Sequence, residues 1–216
     1  PRESGGDTIT AAGTARARTL GARLRVQFPN AVPVGLCSDK VRTQQTLLAI
    51  LEGMGAAPTP AFQQEPALQN QVSPAFDDLW TRLEGMDPNA GVEMYLRYGD
   101  QRPDPESLSP QEVADRVAML IRGYLPEREA DATSASRFVV MVTHSGIIEL
   151  FLATLLHFES VAAMGGILDY LESVELTIGT DETMSGPDAA PLAPIVVSFR
   201  SSTYVVAGDG QQWPVG

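Results

Sequence analysis

The sequence has little cysteine and little positive charge, and both shortages exclude classes of function. Its 216 residues include one cysteine, Cys37, so no disulfide can form within the chain. There are 15 lysines and arginines against 27 aspartates and glutamates, which gives a formal net charge of −12. Because nucleic acids and anionic membranes attract basic surfaces, we expect neither as a partner. Cys37 is predicted to be a small buried apolar residue.

The sequence also lacks a membrane-length apolar run and a cluster of metal ligands. No basic, apolar leader opens the chain, so we expect a cytoplasmic protein without a membrane partner. The two histidines, His144 and His157, are too few and too far apart in sequence to suggest a metal site. We therefore expect neither a metal nor a cofactor.

Hydrophobic residues make up 44% of the chain, enough for the core of a single domain spanning residues 1–216. Helical and strand patterns alternate through most of it. Phe138–Val142 is a continuous apolar run, as is typical of a strand buried in a parallel sheet. Ser109 and Glu112 form the pattern of a capping box at a helix start. The alternation predicts an α/β fold, a three-layer α/β/α sandwich with a mostly parallel central sheet.

Residues 56–107 do not follow this regular alternation. Several prolines interrupt the segment, and short patterns within it predict a strand near Phe62–Leu68 and helices near Phe76–Leu83 and Val92–Tyr98. We predict that it forms a lid or insertion over one end of the domain.

Two predicted strand–helix junctions carry polar residues suited to binding phosphate. Arg42 falls in the first turn of a helix that follows the strand Val32–Cys37, where its guanidinium could join backbone N–H groups in holding an anion. His144 directly follows the strand Phe138–Val142, where it could donate to a phosphoryl oxygen or take part in acid–base chemistry. Taken singly, a solvated arginine and a capping histidine are the commoner interpretations.

Together these junctions resemble the histidine phosphatase superfamily, a phosphoglycerate-mutase-like family. Ser38, Arg42 and Thr46 match its Ser-x-x-x-Arg-x-x-x-Thr motif, and His144 followed by Ser145 matches its late histidine motif. The segment Ile9–Ala17 is similar to the helix that follows the family's first motif. The resemblance covers about residues 1–157 in the family's order.

The family's Arg-His-Gly motif, which carries the nucleophilic histidine, is absent from the sequence. Pro1 and Arg2 resemble the last two positions of an extended Arg-His-Gly-x-Arg motif. We expect the nucleophile just upstream of Pro1, on a first strand that would be central in the sheet. The alternative is a catalytically dead relative that binds phosphate or a partner.

The resemblance implies a metal-independent phosphomonoesterase that acts on a small phosphorylated molecule through a phosphohistidine intermediate. In this reading His144 is catalytic, and the proton donor is a carboxylate. Amides occupy Leu68-Gln69-Asn70, where the family often has glutamate, so Asp77, Asp78 and Glu93 in the predicted lid are the candidate acids. The implied phosphate ligands are Arg2, Arg42, His144 and Ser145.

Three other functions are less favoured by the residues. A mutase would need more basic residues than the three arginines present in residues 56–107. A serine hydrolase would need a Gly-x-Ser-x-Gly elbow, which the sequence lacks. A phosphate-binding relic remains open, as does a homodimer formed through an edge strand among the last three predicted strands.

Overall fold

The computed structural model describes residues 7–56, 62–124, 137–178 and 192–208. Six helices lie in this part of the chain: α1 (Ala11–Gln27), α2 (Val41–Gly53), α3 (Pro74–Glu84), α4 (Ala90–Leu96), α5 (Pro110–Gly123) and α6 (Ile147–Leu155). Its strands are β1 (Val32–Cys37), β2 (Phe62–Gln64), β3 (Arg137–Val142), β4 (Glu175–Ile178), β5 (Leu192–Phe199) and β6 (Ser202–Gly208). Among these helices none combines the length and the apolar character needed to cross a membrane.

The first three strands form a parallel sheet in the order β2-β1-β3. β1 and β3 pair along their whole length, with Val32 opposite Arg137 and Cys37 opposite Val142. Because both strands run in the same direction, their carboxyl ends meet at one edge of the sheet. The predicted α/β class with a parallel sheet flanked by helices is therefore confirmed.

The last three strands form a second, antiparallel sheet in the order β4-β5-β6. The sequence predicted one mostly parallel sheet, and the difference lies in a tight hairpin between β5 and β6. Arg200 and Ser201 form its turn with φ of 48° and 65°. Positive φ at both positions matches the twist of a β-hairpin. Arginine and serine are not the residue types that predict such a turn.

Helices α1 and α2 cross very closely because small residues face each other. The buried residues of α1 are Gly13, Ala17 and Gly21, which are spaced at four-residue intervals. A Cβ at Gly21 would lie 2.0 Å from the Ile50 carbonyl oxygen, so only glycine fits there. Thr10 caps α1, with its hydroxyl accepting from the Gly13 N–H at 3.0 Å.

The segment 56–107 supplies more than a cover for the sheet. It contributes β2, a short 3₁₀ turn at Pro66–Leu68, and the helices α3 and α4. Four of its side chains belong to the main core together with α5 and α6: Phe76, Trp80, Val92 and Tyr95. Its role as a lid stays a prediction.

A large cleft of about 2420 Å³ separates the two sheets. Its walls include Leu20 and Leu24 of α1, the length of β3 from Phe138 to Val142, and Ser173–Leu176 around β4. Within the described residues β3 pairs only with β1, so its other edge borders this cleft. Pockets for small molecules usually hold roughly 300–1,000 Å³, so this cleft has room for a segment of polypeptide.

Candidate active site

Arg42 and His144 meet at the carboxyl edge of the parallel sheet. Arg42 lies in the first turn of α2, which follows β1, and His144 lies two residues after β3. The guanidinium Nη2 of Arg42 is 3.2 Å from Nδ1 of His144. Since β1 and β3 are neighbours in the sheet, the fold brings together two residues that are 102 positions apart.

The hydrogen bonds around His144 define its tautomer. A guanidinium can only donate, so Nδ1 of His144 accepts from Arg42. The neutral ring then carries its proton on Nε2, which lies 2.7 Å from the Ser38 hydroxyl. Ser38 in turn donates to the Thr43 hydroxyl at 2.8 Å, and Thr43 donates to the Lys40 carbonyl at 2.8 Å. This directed chain fixes the plane of the imidazole.

The surroundings of His144 favour its neutral form. Burial and then the positive charges of Arg42 and Lys40 lower the pKa of His144 to about 4. At neutral pH the ring therefore presents an unprotonated Nδ1 beside the guanidinium. A phosphoryl oxygen at this position would need a proton on Nδ1 to receive a hydrogen bond, so binding a phosphate dianion favours proton uptake by His144.

Asp7 already lies on the anion-binding groups of α2. Its carboxylate accepts from Arg42 Nη1 at 2.7 Å and from the Val41 N–H at 3.2 Å. These donors are a guanidinium and a backbone N–H at a helix N-terminus, the combination that also suits a phosphate oxygen. The geometry shows that this end of α2 can hold an oxyanion.

Trp80 and Glu149 shape the loop from Thr143 to Gly146. Gly146 has φ of 94°, and a Cβ there would lie 2.2 Å from Cη2 of Trp80, so the indole packs directly on the glycine. Fully buried Glu149 accepts from the N–H groups of Gly146 at 2.6 Å and Leu168 at 2.8 Å. Burial raises the pKa of Glu149. These contacts hold the loop that carries His144.

The remaining predicted site residues fall in different places. Ser145 is exposed and borders the cleft beside His144, and Asp77 borders the same cleft from α3. Glu93 lies elsewhere on α4, where it accepts from the Val161 N–H at 2.8 Å. Arg2 lies outside the described residues. His157 is exposed just beyond α6.

Thr43 and Asp7 are absent from the site residues predicted from the sequence. Thr43 follows Arg42 in the first turn of α2, so helical geometry alone could have placed it near the junction. Asp7 reaches α2 across 34 positions, and no local pattern predicts such a contact. In the part of the chain that the structure describes, no three His, Cys, Asp or Glu side chains lie close enough together to hold a metal ion.

A comparison with protein families decides the class of this site. The profile of the histidine phosphatase superfamily (branch 1) matches residues 4–184. The chain belongs to this superfamily. The match spans both junctions with Arg42 and His144, and it assigns the chain to a class of phosphatases.

Solved structures of phosphatases share the fold. Mycobacterial glucosyl-3-phosphoglycerate phosphatase in its native form is 16% identical, with a TM-score of 0.53 over 90% of this chain and 88% of that one. Its complex with inorganic phosphate is also 16% identical, with a TM-score of 0.54 over 90% and 87%. Mycobacterial hydrolase 1 is 15% identical, with a TM-score of 0.51 over 97% and 85%. No curated protein sequence matched the chain significantly.

Proposed function

We propose that the protein is a metal-independent phosphomonoesterase that hydrolyses a small phosphorylated molecule through a phosphohistidine. The observation that carries this proposal is the contact between Arg42 and His144 at the carboxyl edge of the parallel sheet. A fixed positive charge and an imidazole side by side suit the oxygens of a phosphoryl group. The structural relative solved with inorganic phosphate, a glucosyl-3-phosphoglycerate phosphatase, supports the proposal.

The cleft between the two sheets supports a proposed location for the nucleophilic histidine. His144 is held by Ser38 and Arg42, and His157 is exposed just beyond α6, so neither histidine is suited to attack phosphorus. The open edge of β3 is lined by apolar side chains and ends beside His144. We place the attacking histidine on a strand that pairs with this edge, as expected for a segment preceding Pro1.

The proposed reaction has two displacements at phosphorus. The nucleophilic imidazole forms a P–N bond while the ester P–O bond breaks, and the alcohol leaves with a proton. Water then attacks the phosphohistidine, which releases inorganic phosphate and restores the imidazole. Arg42, protonated His144 and the N–H groups at the start of α2 hold the phosphoryl oxygens, whose negative charge they stabilise in both transition states.

A phosphate-binding protein without turnover is the second candidate. It is supported by the same contact between Arg42 and His144, which suits phosphate binding without requiring turnover. Both candidates predict phosphate binding, so only a turnover measurement separates them.

The test uses protein made from the complete reading frame with p-nitrophenyl phosphate as substrate and EDTA present. We expect turnover that EDTA does not reduce, and a loss of about 10²-fold or more in kcat for His144→Ala. The matched control is His157→Asn, which keeps the fold because asparagine tolerates the φ of 54° at this exposed position.

Full activity in His144→Ala with wild-type binding of vanadate would refute the role of His144. No turnover by the wild-type protein although vanadate binds would overturn the phosphatase and support the phosphate-binding relic.

A further inference from the structure

One face of α3 is directed toward the loop that carries His144. Four of its residues border the cleft at helical spacing, namely Asp77, Trp80, Thr81 and Glu84. Trp80 contacts Gly146, since a Cβ on that glycine would lie 2.2 Å from the indole. Asp77 lies one turn before Trp80 on this same face and borders the same cleft.

A second contact ties Asp77 to the site through the turn after β2. Asn70 Nδ2 donates to Asp77 Oδ1 at 2.7 Å. Two residues before Asn70, the carbonyl of Leu68 accepts from the Thr143 hydroxyl at 2.8 Å. Thr143 immediately precedes His144, so the turn that holds the Asp77 carboxylate is itself hydrogen-bonded to the loop that carries His144.

We propose that Asp77 is the general acid that protonates the leaving group, and that Asn70 is its positioning residue. This inference rests on the proposed phosphatase function. The amide of Asn70 bonds one carboxyl oxygen and leaves the other oriented by that bond.

Three other carboxylates, on α3, α4 and α6, are engaged in structural contacts. Glu84 accepts from the indole N–H of Trp80 at 2.6 Å. Glu93 accepts from the Val161 N–H at 2.8 Å and does not border the cleft. Glu149 is fully buried between two backbone N–H groups. Asp77 borders the cleft, and its carboxylate accepts from the side-chain amide of Asn70.

The proton moves in a balanced cycle. As the ester P–O bond breaks, the Asp77 carboxyl gives its proton to the leaving oxygen, and the product is a neutral alcohol. In the second displacement the Asp77 carboxylate takes a proton from the attacking water. The water oxygen forms the new bond to phosphorus, and the P–N bond to histidine breaks.

The test compares two substrates that differ in their need for an acid. p-Nitrophenolate leaves readily without protonation, whereas the alkoxide of glycerol 2-phosphate is far more basic and needs a proton. For Asp77→Asn we expect kcat/KM on glycerol 2-phosphate to fall by about 10²- to 10⁴-fold, which is the usual contribution of general acid catalysis. On p-nitrophenyl phosphate the same variant should lose less than about tenfold.

Three further variants separate catalysis from structure. Asp78→Asn is the matched control, because Asp78 is exposed on the same helix and does not border the cleft. Asn70→Ala should lower kcat on glycerol 2-phosphate without raising KM, and it should lower kcat on p-nitrophenyl phosphate by a smaller factor. Asn70→Glu added to Asp77→Asn should restore part of the glycerol 2-phosphate activity, since it supplies a carboxyl to the same turn.

The outcomes distinguish this inference from the function on which it rests. Equal losses on both substrates, or no loss on either, would refute Asp77 as the acid while the phosphatase stands. A selective loss on the alkyl ester in Glu84→Gln rather than Asp77→Asn would move the role to Glu84 and overturn the assignment. No turnover of p-nitrophenyl phosphate by the wild-type protein would refute the proposed phosphatase function itself.

Discussion

The imidazole of His144 lies between a guanidinium and a hydroxyl, and these neighbours decide when it carries charge. Arg42 donates to Nδ1, and the Ser38 hydroxyl accepts a hydrogen bond from the Nε2–H. Protonation of Nδ1 would place two donors face to face in a partly buried site. The folded protein therefore resists protonation of His144 until an anion enters, which couples phosphate binding to the charge of this residue.

This coupling predicts a pH dependence of stability in the absence of phosphate. The pKa of His144 is lowered from its ordinary 6.5 to about 4 by burial and by the charges of Arg42 and Lys40. Between these values the unfolded chain binds more protons, so stability falls as the pH drops from 6.5 toward 4. The shift corresponds to roughly 3 kcal/mol in the free energy of unfolding, measured by urea denaturation across this pH range.

Two comparisons isolate the contribution of His144. His144→Gln should lack this part of the pH dependence, because glutamine does not titrate. Saturating phosphate should flatten the wild-type curve, because the dianion stabilises the protonated ring. Identical pH slopes in wild type and His144→Gln would contradict the assigned environment.

At the scale of elements, the crossing of α1 and α2 depends on two glycines. A Cβ at Gly21 would lie 2.0 Å from the Ile50 carbonyl oxygen, and one at Gly53 would lie 2.1 Å from the Arg18 carbonyl oxygen. Both obstacles are backbone atoms, which cannot rotate away as a side chain can. The two helices approach as closely as their backbones allow, and α2 begins at the Arg42 site.

Gly21→Ala should therefore destabilise the protein although alanine is the better helix former. We expect a loss of about 1–3 kcal/mol in the free energy of unfolding, as for overpacking in a close-packed core. Chemical denaturation monitored by circular dichroism measures it. Gly123→Ala in α5 is the control, since no atom lies within 4 Å of its Cβ position. That variant should be neutral or slightly stabilising, and a neutral Gly21→Ala would show that the helices can separate.

Local signals predict elements here, but they do not predict how the elements meet. The capping box of Ser109 and Glu112 forms as expected, with bonds of 2.8 and 3.1 Å between side chains and backbone. The two junctions with Arg42 and His144 could be located because strand ends and helix starts have recognisable patterns. The hydrogen bond from Asn70 to Asp77 depends on how the turn after β2 packs on α3, which no periodicity encodes.

At the scale of the whole molecule, hydrogen bonds connect the antiparallel sheet to the loop that carries His144. Arg200, in the β5–β6 turn, donates to the carbonyl oxygens of Met164, Gly166 and Ile167. Leu168, the next residue, donates to Glu149 at 2.8 Å, and Glu149 holds the Gly146 N–H. This chain of bonds reaches from the second sheet to the loop of His144. The β5–β6 hairpin is therefore linked to the site by hydrogen bonds.

The cleft between the sheets gives the last prediction, which concerns backbone amides. If a strand occupies the cleft, both edges of β3 are paired, and its amides should exchange with solvent as slowly as those of β1, which lies between β2 and β3. Hydrogen exchange of the protein made from the complete reading frame measures this over minutes to hours. β2 is the internal reference, because it is an exposed edge strand within the described sheet. Amides of β3 that exchange as fast as those of β2 would show an unpaired edge, and the nucleophile would then have no strand to carry it to His144.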